Sequence, residues 1–261
     1  MLDNLDSVMT EMSRFIIALR RSSPDVSELT KQFLRTSRED LQASKMLYKG
    51  RMFAPSVYHL QQCVEKMTKA FVLGTRMGTP KEVRDIGHDS LKGHLLYARK
   101  LSRFIPKLGK VDPRLNFDLS RIDEIDAKKT EVARMSKSEI ERIIKSFKAA
   151  DKSMQAVVSL LAEWAPTGMI PLLQGAQGPV MCEKDVESIR KGIKKAIPLM
   201  RTVPFLFVAS ALTFPHEAST RYPDGPIGPQ DYTRSMGIVA CSPEIMRRVE
   251  NTLHSLETLW M

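Results

Sequence analysis

Three groups of side chains in this chain carry atoms that could bind a ligand or move a proton. The first is Gln61, Gln62, Glu65 and Lys69, whose spacings place them on one side of a helix beside an apolar seam. Glu65 precedes Lys69 by four residues, the favourable order for a helical ion pair. The pair could line a polar pocket or lie buried against neighbouring helices. The two glutamines could read a base edge or bond to adjacent backbone. The second group is Arg84, His88 and Asp89. Imidazole titrates near neutral pH, so His88 could act as general acid or base; it could equally cap a helix or brace the preceding loop. Asp89 suits an N-cap, where a carboxylate accepts from free backbone amides. The third group, His216, Glu217, Arg221 and Tyr222, lies in a stretch bounded by Pro215, Pro223 and Pro226. A rigid loop of this kind can present a guanidinium to phosphate and an aromatic face to a base, or tie Arg221 to helix-end carbonyls. No metal site is predicted, because the His-Glu pair has no recognised ligand spacing.

The elements that would position these groups all read as helices. Val57, Leu60, Val64, Met67 and Phe71 alternate spacings of three and four, which predicts a helix from near Pro55 to Gly74. Before it, a helix from Pro24 or Asp25 to Gly50 would turn Val26, Leu29, Phe33, Leu41 and Leu47 inward. Leu5–Leu19 reads as an amphipathic first segment. Gly78 and Pro80 mark a loop reaching His88, and Asp89 or Ser90 would cap the next helix. Ser138-Glu139-Ile140-Glu141 has capping-box spacing for a helix continuing toward Trp164. Residues 166–179 read as a loop, Lys184–Lys195 as a basic helix, and the apolar run Thr202–Phe214 as a buried core helix. Ser242-Pro243-Glu244 would open the last helix with cap, N1 proline and early acid in order. His59, His94 and His254 fall at helical positions that read as structural.

Composition narrows the class. With 261 residues, 43% of them hydrophobic, the chain can bury one large core or two modest ones. Forty Lys and Arg against 30 Asp and Glu give a formal charge of +10, which favours polyanionic partners or simply solubilises the surface. Three widely spaced cysteines imply no disulfide framework and fit reduced thiols in a cytoplasmic protein. The acidic start lacks the order of a signal peptide, and the most apolar window is about thirteen residues, too short to span a bilayer. No membrane association is expected.

Asp40 with Ala43, then Tyr58, Gln61, Gln62, Glu65, Lys69 and Ala70, then His88-Asp89, and finally Arg221-Tyr222-Pro223-Asp224 stand in an order that resembles the HEPN superfamily. These are helical-bundle domains found beside minimal nucleotidyltransferases or in defence systems. The resemblance implies an all-α, antiparallel HEPN-like bundle. Its first part would be residues 25–105 and its last 203–261, with a basic helical insertion at 106–202 between them and a helical extension at 1–24. It also implies binding of nucleotide or RNA, association as a homodimer or with a nucleotidyltransferase partner, and, in one branch, metal-independent RNA cleavage by toxins of defence or toxin–antitoxin systems. No cofactor is called for. Gln62, Glu65, Lys69, His88, Asp89, Arg221 and Tyr222 become the expected ligand-binding residues, with His88, Arg84 and Arg221 the candidates for catalysis. The cleaving branch has four to six residues between an arginine and a histidine. Arg84 and His88 leave three between them, so the cleavage motif is expected to be unmatched.

Overall fold

Small hydroxyl residues let the first two helices meet closely. The computed structural model describes residues 28–104, 129–146, 202 and 204–261. Helix α1 (Glu28–Lys49) turns Thr30, Leu34, Ser37, Leu41 and Ser44 into the core. Ser44 Oγ donates to the Ser56 carbonyl (2.8 Å) and Ser56 Oγ to the Ser44 carbonyl (2.9 Å), joining α1 to α2 (Phe53–Gly74). The predicted inward set for α1 is therefore rotated by about one residue. Leu29 and Phe33 only flank the core, because polar Thr and Ser allow a closer approach than a full row of leucines. The turn between the two helices uses Arg51 at a left-handed φ of 61°, with Met52 N bonded to Leu47 O and Arg51 N to Tyr48 O. This is the Schellman arrangement with arginine where glycine is usual.

Helix α2 is buried on nearly every side. Val57, Leu60, Val64, Met67 and Phe71 form the predicted stripe, but Gln61, Gln62 and Glu65 are buried too. Each fully buried large apolar side chain contributes roughly 1.5–3 kcal/mol. The polar ones must find partners, since an unmatched buried polar group is destabilising.

Helix α3 (Pro80–Asp85) occupies what the sequence reads as a loop. Thr79 and Glu82 form a capping box, with Pro80 in the first turn. Gly87, at φ +63°, makes the turn into α4 (Ser90–Phe104). Asp89 caps α4 by accepting from Leu91 N (3.0 Å) and Lys92 N (3.2 Å). Short α5 (Lys129–Ala133) precedes α6, helical over 137–146. The capping box of α6 is Ser136 with Glu139, two residues earlier than predicted.

Helix α7 (204–213) carries buried Phe205, Leu206, Ala209 and Leu212, as its apolar run predicts. His94 of α4 locks onto it: its Nε2 lies 3.0 Å from Ser210 Oγ, and the ring also bonds the Leu206 backbone. After α8 (His216–Ser219) and a 3-10 turn at Pro229–Asp231 comes α9 (Gly237–Trp260). This last helix starts five residues before the predicted Ser242. Pro243 stands inside it, and Ser242 Oγ bonds back to the Ile238 carbonyl rather than capping. The earlier start is set by packing, because Gly237 lies where a Cβ would be 2.1 Å from the Met135 carbonyl oxygen. Arg38 pairs with Glu257 and Lys45 with Glu250, so numbers rising along α1 match numbers falling along α9. The two helices run antiparallel.

All regular structure among the described residues is helical, in an all-α antiparallel bundle. None of these helices is long and apolar enough to cross a membrane. The Leu5–Leu19 segment, the 166–179 loop, the Lys184–Lys195 helix and the run toward Trp164 lie outside the described residues.

Candidate functional site

Burial of α2 forces Glu65 to gather partners. Its residue exposure is 2%, and Lys69 Nζ reaches Oε1 at 2.7 Å. The Gln61 and Gln62 amides each donate to Oε2 at 3.3 Å, and Gln62 also donates to Gln61 Oε1 at 2.7 Å. The glutamines are thus spent inside the protein rather than offered to a base. The fourth partner is His88, whose Nδ1 stands 3.4 Å from the same Oε2. The His88 side chain is 67% exposed while the Glu65 side chain is almost wholly covered. A carboxylate behind Nδ1 orients the ring and turns Nε2 outward, an arrangement suited to proton transfer or to a phosphate contact. The network brings together Gln62, Glu65, Lys69 and His88 from the expected set. Asp89 is engaged as the α4 cap, and Arg84 is exposed on the last turn of α3.

Arg221 does not join that carboxylate. It pairs with Glu217, and its guanidinium stands over Tyr58 (5.4 Å to the ring centroid) and Tyr222 (5.1 Å). Tyr58 shares the face of α2 that carries Gln61, Gln62, Glu65 and Lys69, two turns ahead of Glu65. At 1.5 Å rise per residue the two positions are about 10 Å apart along the helix. One face of α2 therefore has Arg221 stacked toward one end and His88 held toward the other.

His216 is a core residue, not a surface ligand. It is 1% exposed, with Nδ1 2.7 Å from the Tyr232 hydroxyl, which also meets Ser219 Oγ at 2.8 Å. Desolvation pushes its pKa down to about 3, and that of buried His94 to about 4. A second polar cluster sits between α1 and α2, where Asp40 receives Lys66 and lies 3.0 Å from His59 Nδ1. It ties the two helices together.

The HEPN-domain family model matches residues 30–150, which takes in α1 through α6 and the Glu65–His88 network. The chain contains a HEPN domain. Its match runs past residue 105 into the stretch read as an insertion, while α7–α9, with Arg221 and Tyr222, lie beyond it. The chain is also similar to a protein of Methanocaldococcus jannaschii named "Putative toxin MJ1304", at 46% identity over 43 residues. That stretch is 16% of this chain and 28% of the relative, so the chain spans little more than a quarter of the relative it matches. No solved structure matches.

The chain also holds an arginine–histidine pair at closer to the cleaving branch's spacing than Arg84 and His88. Arg247 and Arg248 precede His254 with six and five residues between, so the four-to-six spacing is in fact present, in α9. Arg247 and His254 are seven residues apart and so share an exposed face. Arg247 is bonded through Nε and Nη2 to Glu244, at 2.9 and 2.8 Å. Scanning every arginine for a histidine downstream would have found the pair.

Proposed function

We propose that this HEPN protein binds RNA or a nucleotide along the exposed edge of the α2 polar face, with His88 and Arg221 as the two contact points. The observation that carries this is the placement of His88. A buried carboxylate with three further donors holds one ring nitrogen and leaves the rest of a side chain two-thirds exposed. A purely structural histidine has no need of that exposure. Arg221, stacked between two tyrosines, supplies a permanent cation farther along the same face. The excess of ten positive charges adds sequence-independent attraction to phosphate. The working form is a cytoplasmic homodimer, a nucleotidyltransferase being the alternative partner. The test is RNA binding by wild type and by His88→Ala and Arg221→Ala at several salt concentrations. Each substitution lowers affinity and flattens the salt dependence. Unchanged affinity and slope in both would reject the site.

A second reading, metal-independent RNA cleavage as a toxin, is favoured by the name of the archaeal relative and by the Arg247–His254 spacing. In it a histidine transfers the proton and an arginine stabilises the charge that builds on phosphorus. Incubation of RNA with the protein in a chelator tests it, with His254→Ala and His88→Ala as separate arms. Cleavage lost only in His254→Ala places the chemistry on α9, and cleavage lost only in His88→Ala places it on the α2 face. No cleavage by wild type removes this reading.

A further inference from the structure

Beyond the α2 face, a cleft of about 550 Å³ opens between α5 and the loop that follows α8. Its walls include Pro215, Pro226 and Ile227, with Tyr222, Asp224, Thr130 and Ser219 as its polar side chains. We infer that this cleft is a nucleobase pocket selective for guanine. The inference rests on the reading that the ligand is a nucleotide or RNA, and it names which base is taken and how.

The volume falls within the roughly 300–1,000 Å³ usual for small-molecule sites, room for a nucleoside rather than a lone phosphate. Two prolines fix the backbone of its walls, so the pocket is largely formed before a ligand arrives. Tyr222 is 53% exposed, an uncommon placement for a large aromatic among the described residues. The Arg221 guanidinium covers one face of its ring, which leaves the other for a second planar group.

Asp224 decides the base. Among the described residues its carboxylate has neither an ion-pair nor a hydrogen-bond partner, although the chain is rich in cations. A carboxylate only accepts, and its two oxygens match two adjacent N–H donors. Guanine offers that pair through N1–H and the N2 amino group. Adenine, cytosine and uracil each place an acceptor beside their donor on the pairing edge. The negative charge also repels phosphate, so the ligand enters base first and its phosphate falls on the Arg221 side. Thr130 and Ala133 come from α5, so this segment lines the pocket together with Tyr222's loop.

Equilibrium dialysis of the full chain against guanosine, adenosine and ribose 5-phosphate tests the pocket. Guanosine binds about tenfold or more tighter than adenosine, the discrimination a bidentate pair supplies. Asp224→Asn erases that preference without weakening ribose 5-phosphate binding; Asp224 is exposed, so this variant folds as wild type does. Tyr222→Ala weakens both nucleosides, while Tyr222→Phe keeps them. Equal binding of the two nucleosides, or a preference that survives in Asp224→Asn, overturns the inference. If ribose 5-phosphate binding is lost in His88→Ala while the nucleosides bind equally, the α2 face stands and the guanine pocket falls. If guanosine is selected through Asp224 while His88→Ala and Arg221→Ala leave RNA binding unchanged, the pocket stands and the α2 face falls.

Discussion

Removing one partner of the Glu65–Lys69 pair tests how firmly the site is built. The Glu65 side chain is 3% exposed and that of Lys69 13%, so the pair lies well inside the range where an unpartnered charge is strongly destabilising. Breaking a buried pair costs about 3–5 kcal/mol. Lys69 keeps a little access to water, which points to the lower end, about 3 kcal/mol for Lys69→Met. That is a loss of about 150-fold in the folding equilibrium, at about 1.4 kcal/mol per tenfold. Glu65→Met costs more, because the Gln61 and Gln62 amides lose an acceptor as well, and each buried donor left unmatched adds about 1–3 kcal/mol. The double variant Glu65→Met/Lys69→Met removes both charges and destabilises by much less than the sum, giving a coupling of about 2 kcal/mol or more. Urea unfolding followed by circular dichroism reads all three, with the stability taken at constant slope. Single losses under about 1 kcal/mol that simply add would refute the reasoning, since that is how an exposed ion pair behaves.

Acid stability follows from the two core histidines. Burial holds the pKa of His94 at about 4 and that of His216 at about 3, below the ordinary value of 6.5, so the unfolded chain binds their protons first and stability falls as pH drops below about 6.5. Each contributes a slope of about 1.4 kcal/mol per pH unit, so the two together give roughly 2.7 kcal/mol per pH unit between pH 6 and 4. His94→Asn halves that slope in urea titrations across the window, and an unchanged slope would contradict the burial argument. Glu82 and Glu244, both held down to about 2 by cationic partners, act in a separate window, their contribution being lost only as pH falls from 4.5 toward 2. Pro243→Ala restores a backbone bond to Val239 at an exposed position and raises stability by roughly 1–3 kcal/mol in thermal unfolding; a loss would mean the proline shapes α9. Gly237→Ala drives a methyl into the Met135 carbonyl and costs about 1–3 kcal/mol, with earlier proteolysis in residues 129–146. Wild-type resistance there would show that the approach is looser than described.

The helical class and the central α2 seam were legible because Val57 through Phe71 keep one period without interruption. The register of α1 was not, because Thr30, Ser37 and Ser44 point inward and hydropathy assigns such residues to solvent. Helix α3 was legible in Thr79-Pro80-Lys81-Glu82, but the adjacent Gly78 and Pro80 read more loudly as a break. The start of α9 depends on the fit of Gly237 against Met135, a contact between residues about a hundred apart that local signals cannot report. Within the site, Glu65, Lys69 and His88 stood out by type and spacing. That Glu65 is the buried hub, with both glutamines turned to it, required the third dimension. The link from Arg221 to α2 through Tyr58 carries no periodic signal at all.

The most direct test of the central claim is a nitrogen-15 histidine NMR titration of the full chain with a short single-stranded RNA. The chain has five histidines, and buried His94 and His216 serve as internal references. The expected result is that the His88 ring resonances shift saturably with RNA while those of His94 and His216 stay in place. Saturable RNA binding with His88 unmoved would contradict it.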